Sequence, residues 1–251
     1  MNVSPTEYVQ SAVVAREAGE GMLARLEWMT LQPKVILDVG CRAGQTATSL
    51  QQRYPQASVL AVDCAELMLA AAPATLLRVC AAPQQLPLPP QSVDLIFANF
   101  ILPWQPDLRK TLREWKRVLR PEGILIFTVL GPDSFKEWTT AQKATQIPWQ
   151  IDMHDVGDIL IETGFADPVL DVDYCTTTYR NPEQFVEELI ASEICHSRLT
   201  PEMLQPAQDG CYETTYEMVY AHAFSPPESD AFPAKDGIAR IPLSHLRRQL
   251  K

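Results

Sequence analysis

The chain predicts an α/β fold: a mostly parallel sheet, doubly wound, with helices on both faces. Three observations carry this. Apolar β-forming runs alternate with helix-like stretches from residue 34 to residue 130, the pattern of successive βαβ units. The run VILDVGCRAG ends in Asp38 and a turn holding Gly40 and Gly44, and the next run, ASVLAVD, ends in Asp63. Strand, glycine turn, helix, strand and acid is the layout of a nucleotide-cofactor site. Finally, 251 residues with 46% hydrophobic and 21% charged side chains suffice for one large core, or one core with a small appendage.

The elements follow in order. Residues 5–30 read as one helix, with Met22, Leu23 and Leu26 giving an apolar side near its end, and Pro33 breaks the chain before a strand at 34–39. A helix at 44–53, a strand at 58–62 and a short helix at 65–72 come next, then strands at 75–81 and 92–100. DLRKTLREWKRVL, residues 107–119, is the clearest helix, with Leu108, Leu112, Trp115 and Leu119 on one face. Arg120 to Gly123 end it, and GILIFTVL is a fifth strand at 123–130. Beyond residue 131 the pattern gives a helix at 152–165 stopped by Gly164, and an alternating strand at 167–180. A helix at 181–194 follows, capped by Asn181 with Pro182 at its first position, and then a strand at 212–224. The prolines, 21 in all, gather at 83–106 and 226–242. They mark loops and a loose tail from 225 onward.

A formal net charge of -10 disfavours nucleic acid as a partner, because an acidic field repels a phosphate backbone. Against it stands one basic stretch: Arg109, Lys110, Arg113, Lys116, Arg117 and Arg120. It reads as a solvated helix face, or as a dock for an acidic protein or anionic carrier. Six cysteines show no CxxC pair and no zinc spacing. They read as free thiols in a reducing compartment, with Cys41 and Cys64 as inert fillers. The N-terminus shows no charged-then-apolar leader, and no apolar run approaches the length of a membrane span. A cytoplasmic protein without a membrane partner is expected.

The order of these pieces resembles class I S-adenosylmethionine-dependent methyltransferases. Within them it is most similar to the biotin-synthesis malonyl-acyl-carrier-protein O-methyltransferases. EYVQSAVVAREAGEGMLARL resembles that family's entrance helix, and LPLPPQSVDLIFANFILPW with LREWKRVLRPEGILIFTVLGPDSFKE its middle. DMHDVGDILIETGFADPVLDVD resembles the segment after the sheet, and TTYEMVYAHAF the last strand. The resemblance implies a Rossmann-like seven-stranded methyltransferase sheet over residues 1–224, with a small helical cap about 181–210.

It also implies S-adenosyl-L-methionine as cofactor, S-adenosyl-L-homocysteine as product, and acyl-carrier protein or a small molecule as acceptor. Carried onto this chain, Asp38 organises the glycine turn and the amino-acid end of the donor. Gly40 and Gly44 let the backbone approach it, Asp63 accepts from the ribose hydroxyls, and Met68 lies beside the adenine edge. Asn99 forms the floor of the transfer site, Tyr8 covers the substrate, and Arg198 meets a substrate carboxylate. No side chain is required as a base, since a carboxylate acceptor is nucleophilic at neutral pH. From the residues alone, Asp63 also reads as a solvated acid, Asn99 as a strand end, and Met68, Tyr8 and Arg198 as packing or surface. His154 and Asp155 read as cap residues of a helix rather than a base.

Two positions depart from the family pattern. Arg42 stands where a third glycine is usual, and Ala82 where an acid usually binds the adenine amino group. Arg42 has three open positions: outward, filling the donor cavity, or paired with the donor carboxylate. Ala82 cannot accept the adenine bond. The cap also lacks the family's glycine-rich piece around 192–198. These departures keep two rivals open: a methyltransferase fold that binds or assembles without catalysing, and an enzyme acting on another small molecule or protein side chain.

Overall fold

In the computed structural model, the described residues are 3–102, 105–138, 150–192, 200–207 and 209–227. Seven strands form one sheet in the order β3-β2-β1-β4-β5-β7-β6. They are β1 (Val35–Val39), β2 (Ser58–Asp63), β3 (Leu77–Cys80), β4 (Val93–Asn99), β5 (Leu119–Leu130), β6 (Ala166–Tyr179) and β7 (Tyr212–Phe224). β1 to β5 pair in parallel, and β7 runs antiparallel to both its neighbours. The expected seven-stranded α/β sheet is the observed one. Its order reverses direction at β1 and β4, so the carboxyl ends of these strands open onto one crevice.

Seven helices flank the sheet among the described residues: α1 (Pro5–Ser11), α2 (Val13–Arg25), α3 (Gln45–Arg53), α4 (Glu66–Ala71), α5 (Leu108–Val118), α6 (Met153–Glu162) and α7 (Pro182–Ala191). On one face Met22, Leu26, Leu50 and Phe185 pack onto Ile36, Phe97 and Ile126. On the other, Leu112 and Trp115 of α5 and Leu160 of α6 pack onto Leu37, Ile96 and Phe127. The α5 face is fixed at its start by Asp107, whose side chain accepts from the Lys110 N–H. Trp115 is held by its indole N–H, which donates to the Pro83 carbonyl at 2.9 Å.

Three expectations are corrected. The entrance segment is not one helix: Ala12, at φ -79° and ψ 63°, separates α1 from α2. The break persists because the carboxylate of Glu188, on α7, accepts from the Val14 N–H at 2.9 Å and caps α2. Such a partner, 174 positions away, leaves no local signature. Second, Arg120–Gly123 do not precede the strand but belong to β5, bulged against β4 between Val93 and Leu95. Third, the tail is not loose from 225: Ser225 is buried and exchanges backbone hydrogen bonds with Glu122 and Gly123. The remainder, 228–251, lies outside the described residues.

Candidate functional site

The turn after β1 is pinned to β2 by two bonds: Gly40 and Cys41 N–H groups both donate to the Val62 carbonyl, at 2.8 and 3.0 Å. Gly40 has φ +76°, and a Cβ there would lie 2.7 Å from the Ile101 side chain. Gly44 has φ +81°, and its Cβ would lie 2.9 Å from that of Ala72. Both glycines are therefore required by backbone conformation and close approach together. Arg42 adopts the same left-handed region, at φ +52°, which costs a side-chain-bearing residue about 1–2 kcal/mol.

Asp38 and Asp63 end adjacent strands and are both buried. Asp38 has its Oδ2 buried without a hydrogen-bond partner. Burial, and then the neighbouring Asp63, raise its pKa to about 7, against a hydrogen bond from the Ala47 backbone that favours the charged form. Asp63 is instead satisfied. Its Oδ2 accepts from the Arg42 backbone N–H at 3.0 Å and lies 3.5 Å from Arg42 Nη1, and its Oδ1 accepts from the Ala65 N–H at 2.9 Å. The structure takes none of the three positions open to Arg42 in the sequence: the guanidinium turns onto Asp63 instead.

A cleft lies between the entrance helices and the ends of β1 and β4. With its open mouth it encloses about 710 Å³. Tyr8, Arg16, Asp38, Gly40, Gln45 and Asn99 are among its wall residues. Asn99 is fixed from two sides: its side-chain N–H donates to the Ala15 carbonyl on α2, and its Oδ1 accepts from the Thr128 hydroxyl on β5, both at 2.6 Å. It thus ties the entrance helix to the sheet. Arg16 and Glu20 were not picked out from sequence, although Tyr8, Ala12, Arg16 and Glu20 follow the i, i+4 spacing of one helix face.

Of the residues expected at the donor and substrate sites, Asp38, Gly40, Tyr8 and Asn99 meet in this cleft, and Gly44 shapes the turn beneath it. Arg42, Asp63, Met68 and Ala82 are not on its wall. Met68 is buried on α4, and Ala82 is half-buried with its carbonyl accepting from the Gln85 N–H. Arg198 lies outside the described residues. Cys41 is buried, its thiol pushed far above the usual range by burial, which suits an inert filler. Cys64 is exposed, so it fills nothing; it sits past the end of β2. The cap of α6 is Asp152, which accepts from the His154 N–H and ring, and not His154 or Asp155.

For a sulfonium amino acid with a nucleoside, the fit is divided. The orphaned Asp38 oxygen and the open turn suit the ammonium end. The ribose end has a suitable carboxylate, but its oxygen is engaged by Arg42. Among the described residues no helix is long and apolar enough to cross a membrane.

Comparison with known proteins agrees with the fold. Residues 37–127 match a family described as a methyltransferase domain. The YcgJ protein of Bacillus subtilis superposes with a TM-score of 0.62 at 14% identity, over 84% of this chain and 99% of that one. Haemonchus contortus phosphoethanolamine N-methyltransferase 2, solved with S-adenosyl-L-methionine, gives 0.55 at 19% identity, over 84% and 52%. At such identities these show the fold alone. Sequence relatives are nearer. A malonyl-[acyl-carrier protein] O-methyltransferase of Methylovorus sp. strain MP688 is 37% identical over 93% of this chain and 89% of its own. Another, of Halorhodospira halophila strain DSM 244 / SL1, is 34% identical over 99% and 93%. Fold, turn geometry and matches along nearly the whole length agree: the chain belongs to the malonyl-[acyl-carrier protein] O-methyltransferase family of S-adenosylmethionine-dependent methyltransferases.

Proposed function

We propose that the chain methylates the free carboxylate of a malonyl group carried as a thioester on acyl-carrier protein, in biotin synthesis in the cytosol. The observation that carries this reading is the length of the match: relatives named for that reaction align over nearly all of both chains. The donor supplies a methyl carbon already activated by its sulfonium. Asp38 holds the ammonium end, and the Gly40 turn lets the backbone approach. Asn99 keeps the entrance helix on the sheet, so that Tyr8 covers the cleft and limits water. Arg16 puts a cation on the wall, as an anionic acceptor needs. Alignment and exclusion of water are then the protein's main tasks.

The carrier would meet α5. Of the basic residues on and just after it, three are already paired, Arg109 with Glu162, Arg117 with Glu114 and, at the start of β5, Arg120 with Asp94. Lys110 and Arg113 remain exposed for an acidic partner. Transfer of labelled methyl from S-adenosylmethionine tests the reading. Malonyl-carrier protein should be methylated and the carrier bearing an acetyl group should not. Failure with malonyl-carrier protein, at donor concentrations that saturate binding, overturns the acceptor assignment.

One observation favours a second reading, a family member that binds without catalysing: Arg42 on Asp63. Absence of S-adenosylhomocysteine binding at millimolar concentration would select it.

A further inference from the structure

We propose that the Arg42 guanidinium covers Asp63, the carboxylate suited to the ribose, so that an adenosyl ligand binds only by displacing it. The inference rests on reading the cleft as a donor site. A carboxylate offers about four acceptor positions. On Asp63, Arg42 takes two with its backbone N–H and Nη1, and Ala65 takes a third. A vicinal diol asks for two. Access is closed as well, since the Asp63 side chain is 1% exposed and that of Arg42 11%. The contrast with Asp38, whose Oδ2 is buried and unpartnered while lining the cleft, places the obstruction at one end only. As the molecule stands, the cleft presents an ammonium site without an open nucleoside site.

The geometry supplies its own test. The bond from residue 42 to Asp63 at 3.0 Å is made by the backbone, and glycine adopts φ +52° without strain. Arg42→Gly therefore removes the guanidinium and keeps the turn. Calorimetric titration of wild type, Arg42→Gly and Arg42→Met with S-adenosylhomocysteine, and separately with adenosine, reads the effect. The expected result is binding of S-adenosylhomocysteine at least tenfold tighter by the glycine variant, a comparable gain for adenosine, and a smaller gain in the same direction for Arg42→Met. The methionine variant reads the same sign if the glycine variant does not fold. Equal affinity of wild type and both variants overturns the proposal and leaves the donor site standing. A gain for S-adenosylhomocysteine without one for adenosine also overturns it, because the effect would then lie at the amino-acid end. No binding by any variant overturns both the proposal and the donor-site reading.

Discussion

Two carboxylates lie at the ends of neighbouring parallel strands, two residue pairs apart in depth, and they have opposite fates. Asp38, on the cleft wall, keeps an oxygen buried and unpartnered, whereas Asp63 is surrounded by three protein donors. The difference teaches that burial alone does not make a binding carboxylate. What matters is whether the protein has left its acceptor capacity for a ligand. A buried acid without a partner is costly, and its raised pKa registers that cost. A buried acid already paired is stable and must be vacated before it can bind anything.

Removing the open carboxylate should have the largest effect. Asp38→Ala takes away the partner of a buried ammonium and should weaken S-adenosylhomocysteine binding by about 100-fold or more, read by calorimetry. The second effect is on pH. Asp38 must be charged to hold an ammonium, and its pKa is about 7. Affinity should then fall toward tenfold per pH unit below 7 and level off above it, and Asp38→Asn should abolish the slope. The same shift acts on stability with a definite sign. The folded chain binds this proton more tightly than the unfolded one, so Asp38 favours folding least at high pH. Its contribution declines as pH rises from about 4 to about 7, and Asp38→Asn should flatten the decline in denaturant titrations.

At the other end, Ala82→Asp tests whether an adenine lies beside β3. It should tighten S-adenosylhomocysteine by up to about tenfold, the worth of one hydrogen bond, and should do so more clearly in the Arg42→Gly background. The smallest effect is at the surface. Lys110→Glu with Arg113→Glu should raise KM for the carrier-bound acceptor about three- to tenfold at low salt, leave donor affinity unchanged, and lose its effect at high salt.

The sheet was legible because its strands are strongly apolar and its turns carry the glycines that left-handed backbone demands. Strand ends at Val39, Asp63 and Phe224 fall within a residue of those expected. What was not legible depends on partners distant in sequence. The helix break at Ala12 needs Glu188, itself held by the Tyr179 hydroxyl, and the pinning of Ser225 needs the bulge at Glu122. Within the site, the acids and glycines were readable from spacing, and Tyr8 from family resemblance. The destination of Arg42 was not, because a long flexible side chain is placed by whichever charge it reaches. Its partner across the turn, Asp63, is 21 positions away in sequence.

A crystal structure of the protein with S-adenosylhomocysteine addresses the unequal ends most directly. The expected complex has the ligand ammonium on Asp38 Oδ2, the ribose hydroxyls on Asp63, and the Arg42 guanidinium swung clear. A nucleoside bound in the cleft with the Arg42–Asp63 pair intact would contradict it.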